Sequence, residues 1–340
     1  DPKKDKIGFY KQFISVPNDT LYELELFKEN LPFKAFKPTQ TSGNRLYLGY
    51  EGTIKLKESR PTITLKNKGA IVPSIITQLP KKDSLQVWYR PIKTDSLSIA
   101  ITQGKYQKDF TFKIKDQKKD TLSIKAVQSS VLNFRERYAL VSATPLTKID
   151  KTKVNLFNKA KQSIPFTTEY DEFYQTLYLD FKKEEDENYK LSFSKGALTD
   201  FYEKSNDSLS VKFSTRAFAD YGNLVVNLQN VKRFPVIVEL TNSKGDAIAT
   251  AYTDKNTSLN FNLLDPAKYT LRAIYDDNKN SIYDPGNFLA KQYSEEVIYF
   301  SKEVDVRANW DVVQAFDLSI PYTPEPKKKK VKKKPENKRK

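Results

Sequence analysis

The segment Ile274–Phe288, IYDDNKNSIYDPGNF, places three Asp and three Asn residues within fifteen positions of a basic chain. Calcium is bound by oxygens from carboxylates, amides and carbonyls. In a calcium loop these come from the first, third, fifth and ninth positions, with a backbone carbonyl at the seventh. The segment supplies side chains at this spacing: Asp276, Asn278, Asn280 and Asp284. These four residues are a candidate Ca²⁺ site, and the sequence indicates no other cofactor.

Two positions of this loop depart from a strong calcium site. The twelfth position, where a bidentate Glu is usual, is Asn287, and the sixth, where Gly is usual, is Ser281. No helical pattern flanks the loop, so an EF-hand is excluded, and the missing carboxylate predicts weak binding, at about 10⁻⁴ to 10⁻³ M. The alternative is a polar connection between two strands, in which Asp and Asn side chains cap the turn. The sequence leaves both interpretations open.

The chain contains no His and no Cys, which excludes several catalytic mechanisms. A Ser-His-Asp triad, a Cys-His pair and a His-ligated zinc site all need one of these residues. Paired carboxylates and Ser-Lys pairs remain available. The acidic run Lys182–Tyr189 is interpreted as a solvated turn, and Ser192 and Lys195 fall within a strand-and-turn pattern rather than at a helix start. We therefore predict a non-catalytic protein and keep a carboxylate-based hydrolase only as an alternative.

A short unit of Asp, then Ser or Thr, then Leu occurs five times. An Asp side chain can hydrogen-bond the backbone two residues further on and close a turn, after which Leu begins the next strand. A hydroxyl at an exposed turn is also within reach of a modifying enzyme. The hydroxyl-bearing residues of the five copies are Thr20, Ser84, Ser96, Thr121 and Ser208.

The dominant pattern along the chain is the alternation of apolar and polar residues, which is typical of half-buried strands. No long amphipathic helical pattern is present, and no apolar run approaches the roughly 18 residues of a membrane helix. Short strands separated by turn signals favour tandem β-sandwiches, and the predicted fold class is all-β. The clearest alternating segments are Leu85–Arg90, Leu97–Thr102, Leu122–Val127, Leu209–Ser214 and Tyr269–Asp276.

Breaks in the pattern predict three sandwich domains and a tail, since 340 residues suit several domains of about 100 residues. Residues 1–30 contain a loop and two predicted strands in the same order as the end of the last sandwich, so we interpret them as the remnant of an upstream sandwich. Because the chain starts at Asp1 and contains no Met, we expect it to be part of a longer protein. The predicted domains are 31–127, 128–218 and 219–320, followed by a disordered tail at 321–340.

The tail differs electrostatically from the rest of the chain. The last twenty residues hold ten Lys or Arg and two Glu, whereas residues 1–320 hold 48 basic and 40 acidic residues. A basic, proline-containing segment of this kind is typical of disorder. Lys327–Lys340 would be attracted to anionic lipid, to lipopolysaccharide phosphates or to acidic glycans. Nucleic acid would be bound weakly by the same charges, but the rest of the chain disfavours it, and a solubilising tail without a partner remains open.

Two parts of the sequence carry a resemblance to a known family. Gly196–Thr215 is similar to the final strands of a bacterial Ig-like domain of the surface-layer type, and Leu263–Phe288 with Glu303–Leu318 resembles a transthyretin-like, carboxypeptidase-regulatory-like unit. Together they resemble Ig-like-domain lipoproteins of the Bacteroidota. The resemblance implies an exported, non-catalytic protein of the cell envelope, anchored in the outer membrane through a lipidated Cys, with other envelope proteins as partners.

The chain departs from the family pattern at two turns. It has Pro266-Ala267 where the family has Pro-Gly, and Ser281 where the family's acidic loop has Gly. Ala and Ser tolerate a positive φ less well than Gly, so we expect both turns to be altered.

The resemblance also adds a functional interpretation of the Asp-Ser/Thr-Leu unit, which resembles the O-glycosylation sequon of exported Bacteroidota proteins. The five hydroxyls are therefore candidate glycosylation sites. An alternative function is that of a surface adhesin or glycan-binding protein, for which exposed aromatic rings supply stacking platforms. Trp88 faces away from Leu85 and Val87 and is expected outside the core, whereas Trp310 is expected to pack under the sheet.

Overall fold

The structure is a computed structural model, which describes residues 5–10, 13–17, 22, 24–54, 57–80, 82–128 and 130–320. Within these residues the chain forms 25 β-strands and three short 3₁₀ turns at Lys57–Ser59, Lys151–Lys153 and Phe218–Asp220. None of the helical segments in this part of the chain has the length and apolar character needed to cross a bilayer.

The chain divides into two compact units. The first extends to Phe218 and includes Pro285–Tyr293, and the second comprises Ala219–Asp284 and the chain from Ser294 onward. The predicted tail and its Lys327–Lys340 segment lie outside the described residues.

The first sandwich of the first unit has nine strands: β1 Lys34–Ala35, β2 Thr39–Ser42, β3 Arg45–Glu51, β4 Thr62–Asn67, β5 Ala70–Val72, β6 Ser74–Gln78, β7 Ser84–Tyr89, β8 Ser96–Gln103 and β9 Tyr106–Lys113. One sheet has the order β1-β3-β7-β6, with β2 also paired to β3, and the facing sheet has the order β5-β4-β8-β9. Alternate residues of each sheet meet in the core, where Leu46, Leu65, Val87 and Ile99 are fully buried.

The second sandwich of this unit has nine strands: β10 Ile124–Ala126, β11 Tyr138–Ser142, β12 Leu146–Ile149, β13 Val154–Phe157, β14 Phe166–Asp171, β15 Thr176–Phe181, β16 Asn188–Phe193, β17 Leu198–Asp200 and β18 Leu209–Ser214. Its sheets have the orders β10-β11-β15-β14 and β13-β16-β18, with β12 and β17 as a separate pair. β10 pairs with β11 and so belongs to this sandwich, whereas the sequence analysis placed it in the domain 31–127. The pattern of alternation identifies a strand, but it does not identify the strand's partner.

A buried interface joins the two sandwiches of the first unit. Phe173, between β14 and β15, belongs to the hydrophobic core of the first sandwich. The side chains of Gln86 and Gln175 are buried and share a hydrogen bond of 3.1 Å. The hydroxyl of Tyr202 donates to the backbone carbonyl of Asn44 at 2.9 Å. The interface therefore contains both apolar contacts and buried hydrogen bonds, and the two sandwiches form one compact unit.

The described residues of the N-terminal segment form less regular structure than their sequence predicts. Ile7 and Phe27 make one antiparallel bridge, with N···O distances of 2.8 and 2.9 Å. Residues 13–16, which alternate like a strand, lie outside any strand in the structure. The ring of Phe9 stacks on Tyr293 at a centroid distance of 4.8 Å. The described part of 1–30 is thus held by aromatic contacts rather than by a sheet.

The second unit is a sandwich of seven strands: β19 Gly222–Gln229, β20 Val236–Thr241, β21 Ala247–Thr253, β22 Ser258–Leu264, β23 Ala267–Tyr275, β24 Val297–Val306 and β25 Asp311–Asp317. Its sheets have the orders β22-β19-β25 and β21-β20-β23-β24, and β25 runs parallel to β19. Leu224, Val238, Leu271 and Phe316 are buried between them. The prediction of an all-β chain of tandem β-sandwiches is confirmed, and each of the five alternating segments overlaps a strand.

Candidate functional site

The acidic loop begins directly after β23, whose last residue, Tyr275, pairs with Val236 of the central strand β20. Asp276 therefore stands at the end of a central strand, and its side chain is fully buried. Its carboxylate accepts backbone hydrogen bonds from Asn280 at 3.1 Å and from Ser281 at 2.8 Å. These bonds turn the chain back on itself, so Asp276 organises the loop.

The two predicted asparagines, Asn278 and Asn280, both contact the carboxylate of the fourth predicted residue, Asp284. The Nδ2 atoms of Asn278 and Asn280 each lie 2.6 Å from Oδ2 of Asp284. The Oδ1 atom of Asn280 accepts the backbone N–H of Ile282 at 2.9 Å. The structure therefore brings the four predicted residues together in one hydrogen-bonded loop.

The backbone of this loop has the left-handed conformation that Gly adopts most readily. Ser281 has φ +64° and Lys279 has φ +61°. A non-Gly residue in this region carries a strain of about 1 kcal/mol or more. Ala267, by contrast, opens β23 and is not among the residues with a positive φ. Of these two residues, Ser281 therefore occupies a position that suits Gly and Ala267 does not.

Glu295 completes the loop, and the sequence analysis missed it. Its Oε1 accepts the backbone N–H of Asp277 and its Oε2 that of Asp284, both at 2.9 Å. Burial raises the pKa of Glu295, and the charges of Asp284 and Asp276 act in the same direction. Glu295 lies eleven residues beyond Asp284, outside any calcium-loop spacing, and a pair of adjacent Glu residues was the only sequence signal.

Arg233 links the outer side of the loop to the following strand. Its Nε donates to Asp277 at 2.6 Å, and its Nη1 donates to Glu296 at 2.9 Å. The hydrogen bond from Arg233 lowers the pKa of Asp277. Burial acts to raise the pKa of Glu296, but hydrogen bonds from Lys232 and Arg233 outweigh it and the pKa is lowered. These charges therefore hold the ends of the loop together.

The arrangement offers carboxylate and amide oxygens, which are the ligands that Ca²⁺ prefers. In the structure, however, both oxygens of Asp276 accept backbone N–H groups, and the amides of Asn278 and Asn280 present nitrogen to Asp284. No group of three or more acidic side chains with metal-binding geometry occurs among the described residues. A calcium ion would have to displace both amide donors, which is in keeping with weak binding.

The hydroxyls of the Asp-Ser/Thr-Leu units differ in accessibility. Ser96, Thr121 and Ser208 are exposed, whereas Thr20 lies outside the described residues. Ser84 is only 2% exposed, and its Oγ donates to the hydroxyl of Tyr47 at 2.6 Å. An enzyme could not reach Ser84 in the folded protein, because its hydroxyl is buried against Tyr47.

The two tryptophans lie opposite to what the sequence predicts. Trp88 is fully buried although it faces away from its own core, because the second sandwich covers that face, with the ring of Tyr202 6.5 Å away. Trp310 is 54% exposed, and the guanidinium of Arg307 lies 5.0 Å from its ring centroid. Trp310 precedes β25 in a tight turn, and its side chain therefore does not enter the alternation of the strand.

Comparison with known proteins gives structural neighbours only. No family model matches the chain, and no curated protein matches it. An I-band fragment of titin aligns with 84% of this chain and 99% of its own at 11% identity, with a TM-score of 0.18. Extracellular domains 3–5 of Drosophila OTK align with 80% and 98% at 9% identity and a TM-score of 0.20. Tandem Ig repeats of Dlar align with 54% and 99% at 13% identity and a TM-score of 0.18. The fold is established by the sheets and registers described above.

Proposed function

We propose that this chain is a non-catalytic structural or protein-interaction module of a bacterial envelope lipoprotein. The observation that carries the proposal is the buried interface between the two sandwiches of the first unit. A pair of sandwiches held in one orientation presents its outer surfaces at a fixed spacing, which is what a spacer or a docking platform requires.

The contacts at this interface are those of an interior. The guanidinium of Arg60 lies 3.7 Å from the ring centroid of Phe173. The indole N–H of Trp88 donates to the Thr77 hydroxyl at 2.9 Å, and both residues are fully buried. Burying a Phe side chain such as that of Phe173 contributes about 1.5 to 3 kcal/mol to the free energy of folding. The interface therefore resists separation of the two sandwiches.

The envelope assignment is supported by the resemblance of Gly196–Thr215 and Leu263–Phe288 to Ig-like and transthyretin-like units of exported lipoproteins. We place the protein at the outer membrane, with envelope proteins as partners and with Lys327–Lys340 in contact with anionic lipid, lipopolysaccharide or glycan. The exposed hydroxyls of Ser96, Thr121 and Ser208 are its proposed glycosylation sites.

The test is crosslinking and affinity recovery of the tagged full-length protein from fractionated cells of its source. We expect recovery in the outer-membrane fraction together with one reproducible protein partner. A Phe173→Ser variant, which opens the interface, should lose that partner, while the matched Phe218→Ser variant should keep it, because the Phe218 ring is 45% exposed and contacts Phe134 of the second sandwich. Recovery from the soluble cytoplasm with nucleic acid would overturn the proposal.

A surface adhesin that binds neutral glycans is the second candidate, favoured by the exposed ring of Trp310. An aromatic face supported by Arg307 can stack on the apolar face of a sugar ring. This candidate predicts binding to neutral oligosaccharides on an array and its loss in Trp310→Ala. Unchanged glycan binding in that variant would exclude Trp310 as the platform.

A further inference from the structure

The positive charge of the body is concentrated in the first sandwich. Residues 31–123, which end before β10, hold eighteen Lys or Arg and seven Asp or Glu, a net charge of +11. The remainder of residues 1–320 holds 30 basic and 33 acidic residues, a net charge of −3. Fifteen of the eighteen basic residues are Lys. The net charge of the whole chain does not reveal this difference between its parts. Within residues 1–320, polyanions should therefore be attracted mainly to the first sandwich.

A groove lies on this sandwich between its two sheets. It has a volume of about 630 Å³ and is bounded by β2 on one side and by the end of β9 and the following residues on the other. Three lysines line it, Lys37, Lys113 and Lys115, and all three side chains are exposed. No acidic residue is among the described residues that line the groove. Positive charges along a concave surface reinforce one another's field and raise the local concentration of anions.

The backbone at Lys115 and in the residues that follow it is held by hydrogen bonds to β2 and to its turn. The side chain of Gln40 on β2 makes two hydrogen bonds to the backbone of Lys115, one to its N–H and one to its carbonyl, both at 2.8 Å. Gly43 donates its N–H to the carbonyl of Lys118 at 3.0 Å. Arg45 pairs with Asp120 at 2.9 Å and anchors the end of the segment. This side of the groove is therefore preorganised, so binding a ligand does not carry the entropy cost of ordering it.

The remaining lining groups narrow the chemistry of the ligand. Thr39, Thr111 and Gln117 offer hydroxyls and an amide, which exchange hydrogen bonds with sugar hydroxyls. The aromatic residue of the groove, Phe112, is only 8% exposed and has no free face on which a nucleobase could stack. Lysine ammonium groups act as point charges and do not impose the bidentate geometry that Arg imposes.

We propose that this groove binds a linear anionic polysaccharide, with Lys37, Lys113 and Lys115 paired to its sulfate or carboxylate groups. The proposal is independent of the proposed function, since it concerns one sandwich surface and not the envelope partner. It assigns to the first sandwich a binding activity that is separate from the tail.

The test compares two triple variants that lose the same charge. Lys37→Gln/Lys113→Gln/Lys115→Gln removes the groove lysines, and Lys148→Gln/Lys190→Gln/Lys212→Gln removes exposed lysines of the second sandwich. Both are made in the full chain and in a chain ending at Ile320, which retains every described strand and lacks the tail. The probes are heparin for sulfate, polygalacturonate for carboxylate, and dextran as the neutral polymer, and circular dichroism confirms that each variant is folded.

Each lysine should contribute about fivefold to the affinity. We therefore expect the groove variant to bind at least one anionic polymer on the order of a hundredfold more weakly than the native chain does. The control variant should lose less than about threefold. A heparin-only effect identifies sulfate as the ligand group, and a polygalacturonate effect identifies carboxylate. Equal losses in both triple variants, or tighter binding of a single-stranded oligonucleotide or of polyglutamate than of either polysaccharide, would overturn the proposal.

Discussion

Gln86 and Gln175 share a buried hydrogen bond across the two sandwiches of the first unit, with 3.1 Å between Nε2 of Gln86 and Oε1 of Gln175. The Oε1 atom of Gln86 also accepts from Nη1 of Arg45 at 2.6 Å. A buried amide that loses its partner does not regain water, so its desolvation is uncompensated. The stability of the first unit therefore depends on a polar pair contributed by both sandwiches.

Replacement of Gln175 by Leu should lower the free energy of unfolding of the first unit by about 1 to 3 kcal/mol. Leu is close to Gln in side-chain volume and the backbone φ of +52° stays the same, so the loss reports the hydrogen bonds of the Gln175 side chain, with Gln86 at 3.1 Å and with the carbonyl of Ser142 at 3.4 Å. Urea unfolding measures it, with Gln107→Leu at an exposed position of β9 as the control. An unchanged stability in Gln175→Leu would show that the pair contributes nothing to the interface.

The strands could be predicted from the sequence, but their neighbours could not. All six residues of β7 are buried, although alternation predicts that Trp88 and Gln86 face solvent. The covering surface includes Gln175, which bonds Gln86, and Tyr202, which packs on Trp88, about 90 to 115 positions further along the chain, and no local pattern encodes it. The sequence likewise predicts the acidic loop from its own spacing and misses Glu295, which reaches the loop only because β24 pairs with β23.

Glu295 should be a positioning residue of the acidic loop. In Glu295→Gln one oxygen is replaced by an amide nitrogen, so one of the two backbone N–H groups, that of Asp277 or that of Asp284, loses its acceptor. We expect a loss of about 1 to 3 kcal/mol and faster hydrogen exchange at these two amides. Glu303→Gln, at an exposed position of β24, should leave both exchange rates unchanged. Equal exchange rates in Glu295→Gln and the native chain would contradict this role.

Calcium should have little effect on the stability of the acidic loop. Its buried Asp276 is satisfied by two backbone N–H groups, and a metal ion must displace the amides of Asn278 and Asn280 from Asp284. We expect melting temperatures in millimolar Ca²⁺ and in excess EDTA to agree within about 1 °C. A calcium-dependent rise that disappears in Asp284→Asn would instead establish the weak Ca²⁺ site that the spacing of the loop allows.

Lys183 should stabilise the second sandwich, and its effect should depend on pH. Its Nζ donates to the backbone carbonyls of Asn133 at 3.3 Å, Phe134 at 2.8 Å and Glu136 at 2.5 Å, so this part of the acidic turn is not solvated as its sequence predicts. Burial lowers the pKa of Lys183, against the opposing charges of Glu136 and Asp180. The Lys183→Met variant keeps an unbranched side chain but lacks the ammonium group, so three carbonyls lose this donor. We expect the free energy of unfolding to fall by about 1 to 3 kcal/mol at neutral pH.

The sign of the pH effect follows from the lowered pKa. Between the folded-state pKa of Lys183 and the unfolded value of about 10.4, the unfolded chain binds more protons than the folded chain. The contribution of this group to the unfolding free energy therefore rises with pH over that window. Unfolding of the native chain and of Lys183→Met across this range measures it, with Lys212→Met at an exposed position as control. A parallel pH dependence in the native chain and Lys183→Met would refute the assignment.

Glycosylation of the Asp-Ser/Thr-Leu units should follow accessibility rather than sequence. Ser84 lies in an Asp-Ser/Thr-Leu unit, as Ser96, Thr121 and Ser208 do, but its hydroxyl is buried against Tyr47. If modification occurs after folding, peptide mass spectrometry of the protein from its source cells should find glycan at the three exposed hydroxyls and none at Ser84. Ser96→Ala should remove the modification from its own peptide only. Glycan at Ser84 would show that the enzyme acts on the unfolded chain, because the folded sandwich has no room for a sugar at that position.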